Sequence, residues 1–240
     1  MIDFDGTDDF ISGGSSATID NSFNTSASIS FWLRTDTSPG GGASFRLAGK
    51  ADVSGLLFLL SDFGASSISI RFRQSRATTP GDWRASNLST GVWRHIAITY
   101  DGGSTANDPT FYINGSSVAT IEVGAPAGAI SDDSASNFNI GQDGATEFTN
   151  GQMEDFRLFN RIITQNESLI LANGYRGPLG GEILWLTMMD SRILAGSWGD
   201  QTLSSASAHL PDRSNNSNDG TPQGGAIGRG SDILRMGAMI

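Results

Sequence analysis

The 240-residue chain has no cysteine, which excludes disulfides, thiol catalysis and cysteine-held metal. Its formal net charge of −10 at pH 7 is the opposite of a nucleic-acid binder's footprint, so DNA and RNA are not expected partners. Twenty aspartates against five glutamates, with 31 glycines, describe strands and turns, and no run nears the ~20 apolar residues that a membrane span needs.

Residues 1–11 alternate loosely around Asp5-Gly6, the pattern of a short strand, a tight turn and a second short strand. The opening MIDFDGTDDF has neither a basic segment nor an apolar run, so no signal peptide is expected in it. Ser12–Ser26 is small and polar and reads as a loop. Ile29, Phe31 and Leu33 then share one face of a strand, and Ser30, Trp32 and Arg34 the other. Two further strands, Phe45–Lys50 and Leu56–Leu60, follow a glycine-rich loop. The cleanest alternation is Ser67–Arg73, with Ile68, Ile70 and Phe72 on one side and Ser69, Arg71 and Arg73 on the other. That is a half-buried strand with a cationic outer face. Arg76, Arg84 and Arg94 extend the patch along the sequence, although a solvated face is the simpler account of such a cluster.

Trp93–Gly115 carries the strongest local signal. Ile96, Ile98 and Tyr100 alternate with Trp93, His95, Ala97 and Thr99, and Asp101-Gly102-Gly103 stops the strand. Thr110–Ile113 closes on Asn114-Gly115, the sequence of a two-residue hairpin turn. His95 reads as a packed or hydrogen-bonded core residue. Val118–Val123, Phe138–Gly141 and Met153–Phe159 are the next strands, the last with Phe156 and Leu158 directed inward. Thr164 and Glu167 form a capping box for a helix of about two turns. Leu169, Ile170 and Ala172 supply its apolar face, and Asn173-Gly174 ends it.

Seven of these stretches, taken in order, resemble the laminin-G-like branch of the concanavalin A-like lectin/glucanase superfamily. They are FDGTDDF (Phe4–Phe10), ISFWL (Ile29–Leu33), LAGK (Leu47–Lys50), WRHIAITYDG (Trp93–Gly102), FYING (Phe111–Gly115), FNIGQ (Phe138–Gln142) and GQMEDFRLFNR (Gly151–Arg161). The resemblance spans residues 1–173. It implies an all-β fold, a two-sheet antiparallel jelly-roll β-sandwich with one short helix near 164–173. Residues 174–240 form a C-terminal extension. Within it Glu182–Thr187 reads as a strand and Leu210–Gly225 as a polar, turn-rich segment, similar to the piece that precedes the FDG motif in such modules. The extension either completes the sandwich with permuted strands or mediates subunit contacts, as in domain swapping. Trp185, Trp198 and the apolar Ile233–Ile240 argue against a disordered tail.

Glucanases on this fold carry carboxylates at alternate residues of one strand, with nucleophile and acid ~5–5.5 Å apart. Glu154 and Asp155 are neighbours instead, so a regular strand points them to opposite faces, Glu154 sharing its face with Phe156 and Leu158. No enzymatic activity, catalytic residue or cofactor-binding residue is therefore expected. His209 lies in a polar loop with no paired nucleophile, and no phosphate-cradling loop is present. The resemblance implies one metal ion. Asp5 and Asp155 match the positions from which such modules hold Ca²⁺ with hard oxygen ligands. Turn chemistry at Asp5 and pairing of Asp155 with Arg157 explain the same residues without an ion.

Stand-alone laminin-G-like chains look similar to proteins of phage particles. The resemblance thus implies a non-enzymatic bacteriophage virion structural protein, a capsid-decorating or other particle-surface subunit. Its expected partners are other virion subunits or itself as a homo-oligomer, together with cell-surface glycans, and not membrane. Its expected location is the virion, assembled in the host cytoplasm, with secretion as the alternative. The alternative function is a carbohydrate-binding lectin module, its sugars stacked on exposed aromatics such as Trp83 or Trp32. A glucanase-type glycoside hydrolase is the reading least supported by the carboxylate pattern.

Overall fold

The computed structural model describes residues 1–40, 43–50, 56–62, 68–142, 147–188, 201–202, 210–223 and 227–228. Trp198, His209 and Ile233–Ile240 lie outside the described residues. The strands are β1 (Ile2–Asp5), β2 (Phe10–Ser12), β3 (Ser26–Arg34), β4 (Ser44–Gly49), β5 (Leu56–Asp62) and β6 (Ile68–Gln74). They continue with β7 (Gly81–Leu88), β8 (Arg94–Asp101), β9 (Thr110–Ile113), β10 (Ser116–Val118), β11 (Ile121–Gly124) and β12 (Asn139–Ile140). After β13 (Asn150–Phe159) and helix α1 (Gln165–Ala172) come β14 (Glu182–Leu186), β15 (Gln201–Thr202), β16 (Thr221–Gln223) and β17 (Ile227–Gly228).

These strands form two antiparallel sheets. The first runs β10-β9-β8-β3-β13-β1-β17-β15, with β14 also paired to β13. The second runs β11-β7-β6-β5-β4-β12-β2-β16. Alternation sends Ile29, Phe31, Leu33, Ile96 and Ile98 of the first sheet into the same core as Phe58, Leu60, Ile70 and Phe72 of the second. An aromatic chain crosses it: Phe72 stacks on Phe58 and Trp83, and Tyr100 meets Phe72 edge-on. This is the all-β jelly-roll sandwich with one short helix that the sequence implies.

Local chemistry explains the turns. Asn114 and Gly115 both have positive φ, 51° and 77°, as a type I′ turn requires, and Ile113 pairs with Ser116 across it. Gly115 is also needed for a second reason: a Cβ there would lie 2.6 Å from Leu169 Cα of the helix. The capping box is formed. Glu167 N donates to Thr164 Oγ1 at 3.2 Å, and Thr164 N donates to Glu167 Oε2 at 2.7 Å.

Several expected boundaries and faces differ. β7 carries no β-branched residue and opens on glycine, so its propensity hides it, yet Trp83 and Ala85 point into the core. Val118–Val123 is not one strand but two, β10 in the first sheet and β11 in the second. In α1 the buried side chains are Ser168 and Leu171, whereas Leu169 and Ile170 are exposed. Helix α1 lies on the outside of the first sheet, where Leu171 and Ile163 pack with Ala97, Tyr112 and Phe159.

In β13, Glu154 pairs with Trp32 and Arg157 with Ser30, so Asp155 and Phe156 together oppose the single residue between them, Phe31. This is a β-bulge, and Asp155 takes a left-handed φ of 51° to make it. The described parts of the C-terminal region pair within the chain. Leu184 and Leu186 of β14 meet Leu158 and Phe156, and Thr221–Gln223 pairs with Phe10–Ser12. The intervening polar segment is stitched to β14, since Trp185 N donates to Asp212 Oδ1 at 2.8 Å and Asn218 Nδ2 to the Ile183 carbonyl at 2.6 Å.

Candidate functional site

The bulge corrects the expectation that Glu154 and Asp155 point to opposite faces. Beyond it Phe156 and Leu158 stay in the core, while Glu154, Asp155 and Arg157 gather on the outer side of the first sheet. Arg176, from the segment after α1, reaches Glu154 Oε1 and Asp155 Oδ2, each at 3.2 Å. Arg157 donates to Asp155 at 3.0–3.2 Å and to the Gly177 carbonyl at 2.7 Å, and Trp185 Nε1 donates to Asp155 Oδ1 at 2.7 Å. Both carboxylates are thus buried and already held by cations. Neither is open to a substrate, which retaining hydrolysis requires of its carboxyl pair.

His95 lies beside this network, hydrogen-bonded to Ser30 Oγ at 3.3 Å and edge-on to Trp32. Burial first, then the nearby Arg176 and Arg157 cations, pushes its pKa down to about 3, so the imidazole is neutral. It is the packed, hydrogen-bonded histidine expected. The only lysine of the chain, Lys50, is equally buried and salt-bridged to Asp20 and, at 3.1 Å, to Asp133. Nothing in the sequence marks that site, because its two acids come from distant loops.

The two candidate Ca²⁺ ligands are not brought together. Asp5 pairs with Asn150, five residues along β13 from Asp155, a separation of ~15 Å or more. Asp155 does not fit a metal, since Arg157, Arg176 and Trp185 occupy its oxygens. Asp5 does have suitable neighbours. Ligand oxygens of Asp5, Asp8 and Asp9 lie within 4.8 Å of one another. Asp9 is almost fully buried, and its Oδ1 accepts no hydrogen bond among the described residues. Burial, followed by the charges of Asp5, Asp8 and Asp3, outweighs the Asp5 N–H bond and raises its pKa to about 6. A hard cation would relieve that strain, and the all-oxygen donor set suits Ca²⁺.

The outer face of the second sheet is built differently. Arg46, Leu59, Arg71, Arg84 and Ile121 follow one another as cross-strand partners over β4, β5, β6, β7 and β11. Arg73 and Asp82 form the neighbouring pair. Asp82 takes a two-pronged contact from Arg71, through Nε at 2.6 Å and through Nη2, and lies 3.5 Å from Arg73 Nε. Arg46 pairs with Glu147 at 2.6 Å. On the other side of the arginines runs a hydroxyl row, with Ser44 bonded to Ser61 and Ser69 to Ser86. The expected cationic face therefore exists, but with altered membership. Arg84 joins it. Arg76 is buried, donating to Tyr100 Oη, Gln74 Oε1 and two backbone carbonyls. Arg94 belongs to the first sheet.

The aromatics expected to stack sugars are not on any surface. Trp83 is fully buried against Phe72 and Tyr100, with its Nε1 bonded to Asp108, and Trp32 packs with Met1 and Trp93. Each faces other residues because its strand is covered on that side.

The model of the concanavalin A-like lectin/glucanases superfamily family Laminin_G_3 matches residues 5–167. No curated protein matches the sequence. Among solved structures, a candidate carbohydrate-binding protein from Bacteroides ovatus superposes with a TM-score of 0.65 at 17% identity. That alignment covers 94% of this chain but 59% of the other, so this chain spans under two thirds of that protein's length. A heptameric SAP-like pentraxin from Limulus polyphemus follows at TM-score 0.53 and 14% identity, covering 74% of this chain and 83% of the pentraxin. The enzymatically active domain of tailspike protein 2 from bacteriophage CBA120 matches at 0.47 and 14%, over 67% of this chain and 26% of that one, too distantly to bear on function.

Proposed function

The chain belongs to the concanavalin A-like lectin/glucanase superfamily, and from that premise we propose that it is a non-enzymatic carbohydrate-binding protein that takes its ligand on the outer face of the second sheet. One contrast carries this reading. Outward side chains of the first sheet are consumed by α1 and by the Arg157–Arg176 network, whereas those of the second carry the half-buried Arg46, Arg71, Arg73 and Arg84 beside a hydroxyl row in which Ser44 and Ser86 are half-buried and Ser61 and Ser69 buried. Saccharides are recognised by such fixed hydrogen-bonding groups, and the arginines supply donors in a planar fork. The fold it shares with the Bacteroides protein is consistent with this assignment. A glycan array probed with the full chain, in Ca²⁺ and in chelator, tests it. Retention of a defined saccharide family is the expected result, and no retention in either buffer removes the reading.

A second reading, a particle-surface subunit of a bacteriophage that contacts other virion subunits or a second copy of itself, draws on α1. Ile162, Leu169, Ile170 and Tyr175 are exposed on or beside that helix, apolar side chains suited to a protein contact. Size exclusion with light scattering and imaging of assembled particles tests it. A monomer that associates with no particle ends it.

A further inference from the structure

We infer that Lys50 and Asp20 join in an intramolecular isopeptide bond, formed by the protein itself with Asp133 as proton carrier. The bond is independent of the saccharide reading.

The choice of amine comes first. Of the 15 basic residues only Lys50 is a lysine. Where the protein buries a cation elsewhere, at Arg76 and Arg157, it uses a guanidinium. A guanidinium keeps its proton in proteins, whereas an amine can release one and become a nucleophile. The lone amine is enclosed, with its side chain 1% exposed.

Three segments of chain meet around it. Lys50 follows directly on β4, Asp20 lies in the loop before β3, and Asp133 in the loop before β12. Lys50 Nζ contacts Asp20 Oδ1 and lies 3.1 Å from Asp133 Oδ1. The two acid side chains are 17% and 8% exposed. Asn21, next to Asp20 and held at a left-handed φ of 57°, ties the two loops together. Its N–H donates to Asp133 Oδ1 at 2.8 Å, and its Oδ1 accepts the Asp133 N–H at 3.2 Å. Ser15 Oγ lies 2.8 Å from Asp20 Oδ1 and 2.9 Å from the Ser134 carbonyl oxygen. Charge balance asks for one acid per ammonium, and the second gives the reaction its proton carrier. Nucleophile, electrophile, carrier and hydroxyl donor are thus fixed in advance. Intramolecular reactions so fixed reach effective molarities of ~10⁵–10⁸ M, and exclusion of bulk water protects the product from hydrolysis.

The step balances without a co-reactant. Asp133 takes a proton from the Lys50 ammonium and passes it to the Asp20 carboxylate. The freed Nζ lone pair attacks Asp20 Cγ, and the Ser15 hydroxyl donates to the oxygen that becomes negative. Asp133 then carries a second proton from the nitrogen to the departing hydroxyl. One C–N bond forms, one C–O bond breaks, one water leaves, and Asp133 ends as it began. The bond closes the chain between residues 20 and 50, tying the loop before β3 to the second sheet in a protein without disulfides.

Intact-mass spectrometry of the full chain, folded and held at pH 7 and then denatured, tests the bond. The expected mass is one water, about 18 Da, below that of the sequence. Trypsin should then release residues 1–34 joined to residues 47–71 as one branched peptide, uncut at Lys50. A mass equal to that of the sequence overturns the inference, and so does a water loss that maps to any other position, such as a succinimide at an Asp-Gly pair. Lys50→Arg keeps the charge and should show the full mass with a melting temperature several degrees lower; the same water loss in that variant also overturns the bond. Asp133→Asn should form the link at least tenfold more slowly while keeping the parent's circular dichroism. A link formed there at the parent's rate overturns the role given to Asp133.

Discussion

Arg176 bonds two carboxylates that are neighbours in the sequence, Glu154 and Asp155, each at 3.2 Å. In a regular strand those side chains diverge, so a single guanidinium could not reach both. The bulge at Asp155, with its φ of 51°, turns both outward and creates the buried pair that Arg157 and Arg176 neutralise. What reads in sequence as a missing catalytic pattern is in the structure a lock between β13, β14 and the segment after α1.

Breaking that lock should be costly in proportion to burial. Arg157 is fully buried, so Arg157→Met leaves Asp155 underpaired in a dry site and should cost about 3–5 kcal/mol. For a chain of this size each kcal/mol moves the melting temperature by roughly 2–4 °C. Arg176 has a side chain 30% exposed, and solvent screens its loss, so Arg176→Met should cost about 1–2 kcal/mol. Thermal melts of both variants check the order; equal, small losses would show that the network contributes little.

Trp83 serves the core and not a sugar. Trp83→Ala should destabilise the domain by about 3–5 kcal/mol through the cavity left against Phe72 and Tyr100. Denaturant titration reads that loss directly. A parent-like midpoint with lost glycan binding would instead return Trp83 to the ligand site.

Asp9 should make stability depend on pH in an unusual sense. Its folded pKa of about 6 exceeds the ordinary 3.8, so the folded state holds a proton that the unfolded state releases between those values. Stability from this group is present below pH ~4 and lost as pH rises through ~6, by about 2–3 kcal/mol at ~1.4 kcal/mol per unit. Ca²⁺ bound by Asp5, Asp8 and Asp9 would ionise Asp9 in place and remove that loss. Melting temperatures at pH 7.5 should rise with millimolar Ca²⁺ and not do so in Asp9→Asn. No response in the parent would exclude a cation there.

His95 acts in the opposite direction. Its folded pKa of about 3 lies below the ordinary 6.5, so the unfolded state gains a proton first. Stability from the neutral imidazole is present above pH ~6.5 and lost as pH falls toward 3. His95→Phe should lower stability at pH 7 by about 1 kcal/mol through the lost Ser30 hydrogen bond, yet flatten the acid limb. An acid limb as steep as the parent's would assign it to other groups.

The sequence by itself determined the parts of this protein that neighbours in the chain can encode. The Asn114-Gly115 turn, the Thr164–Glu167 capping box and the alternation of Ile68, Ile70 and Phe72 against Arg71 and Arg73 are all visible in a few consecutive residues, because each obeys a local periodicity or a local hydrogen bond. The order of seven such pieces was enough to identify the fold. Tertiary structure alone decided which side chains meet. It placed Arg84 beside Arg71, set Asp82 against Arg71 and Arg73, hid Trp83 and Trp32, and turned Asp155 out beside Glu154. Those relations depend on strand register, and register is set by pairing between residues far apart in the chain. One extra residue in β13 reverses the faces beyond it, and no local pattern announces that residue.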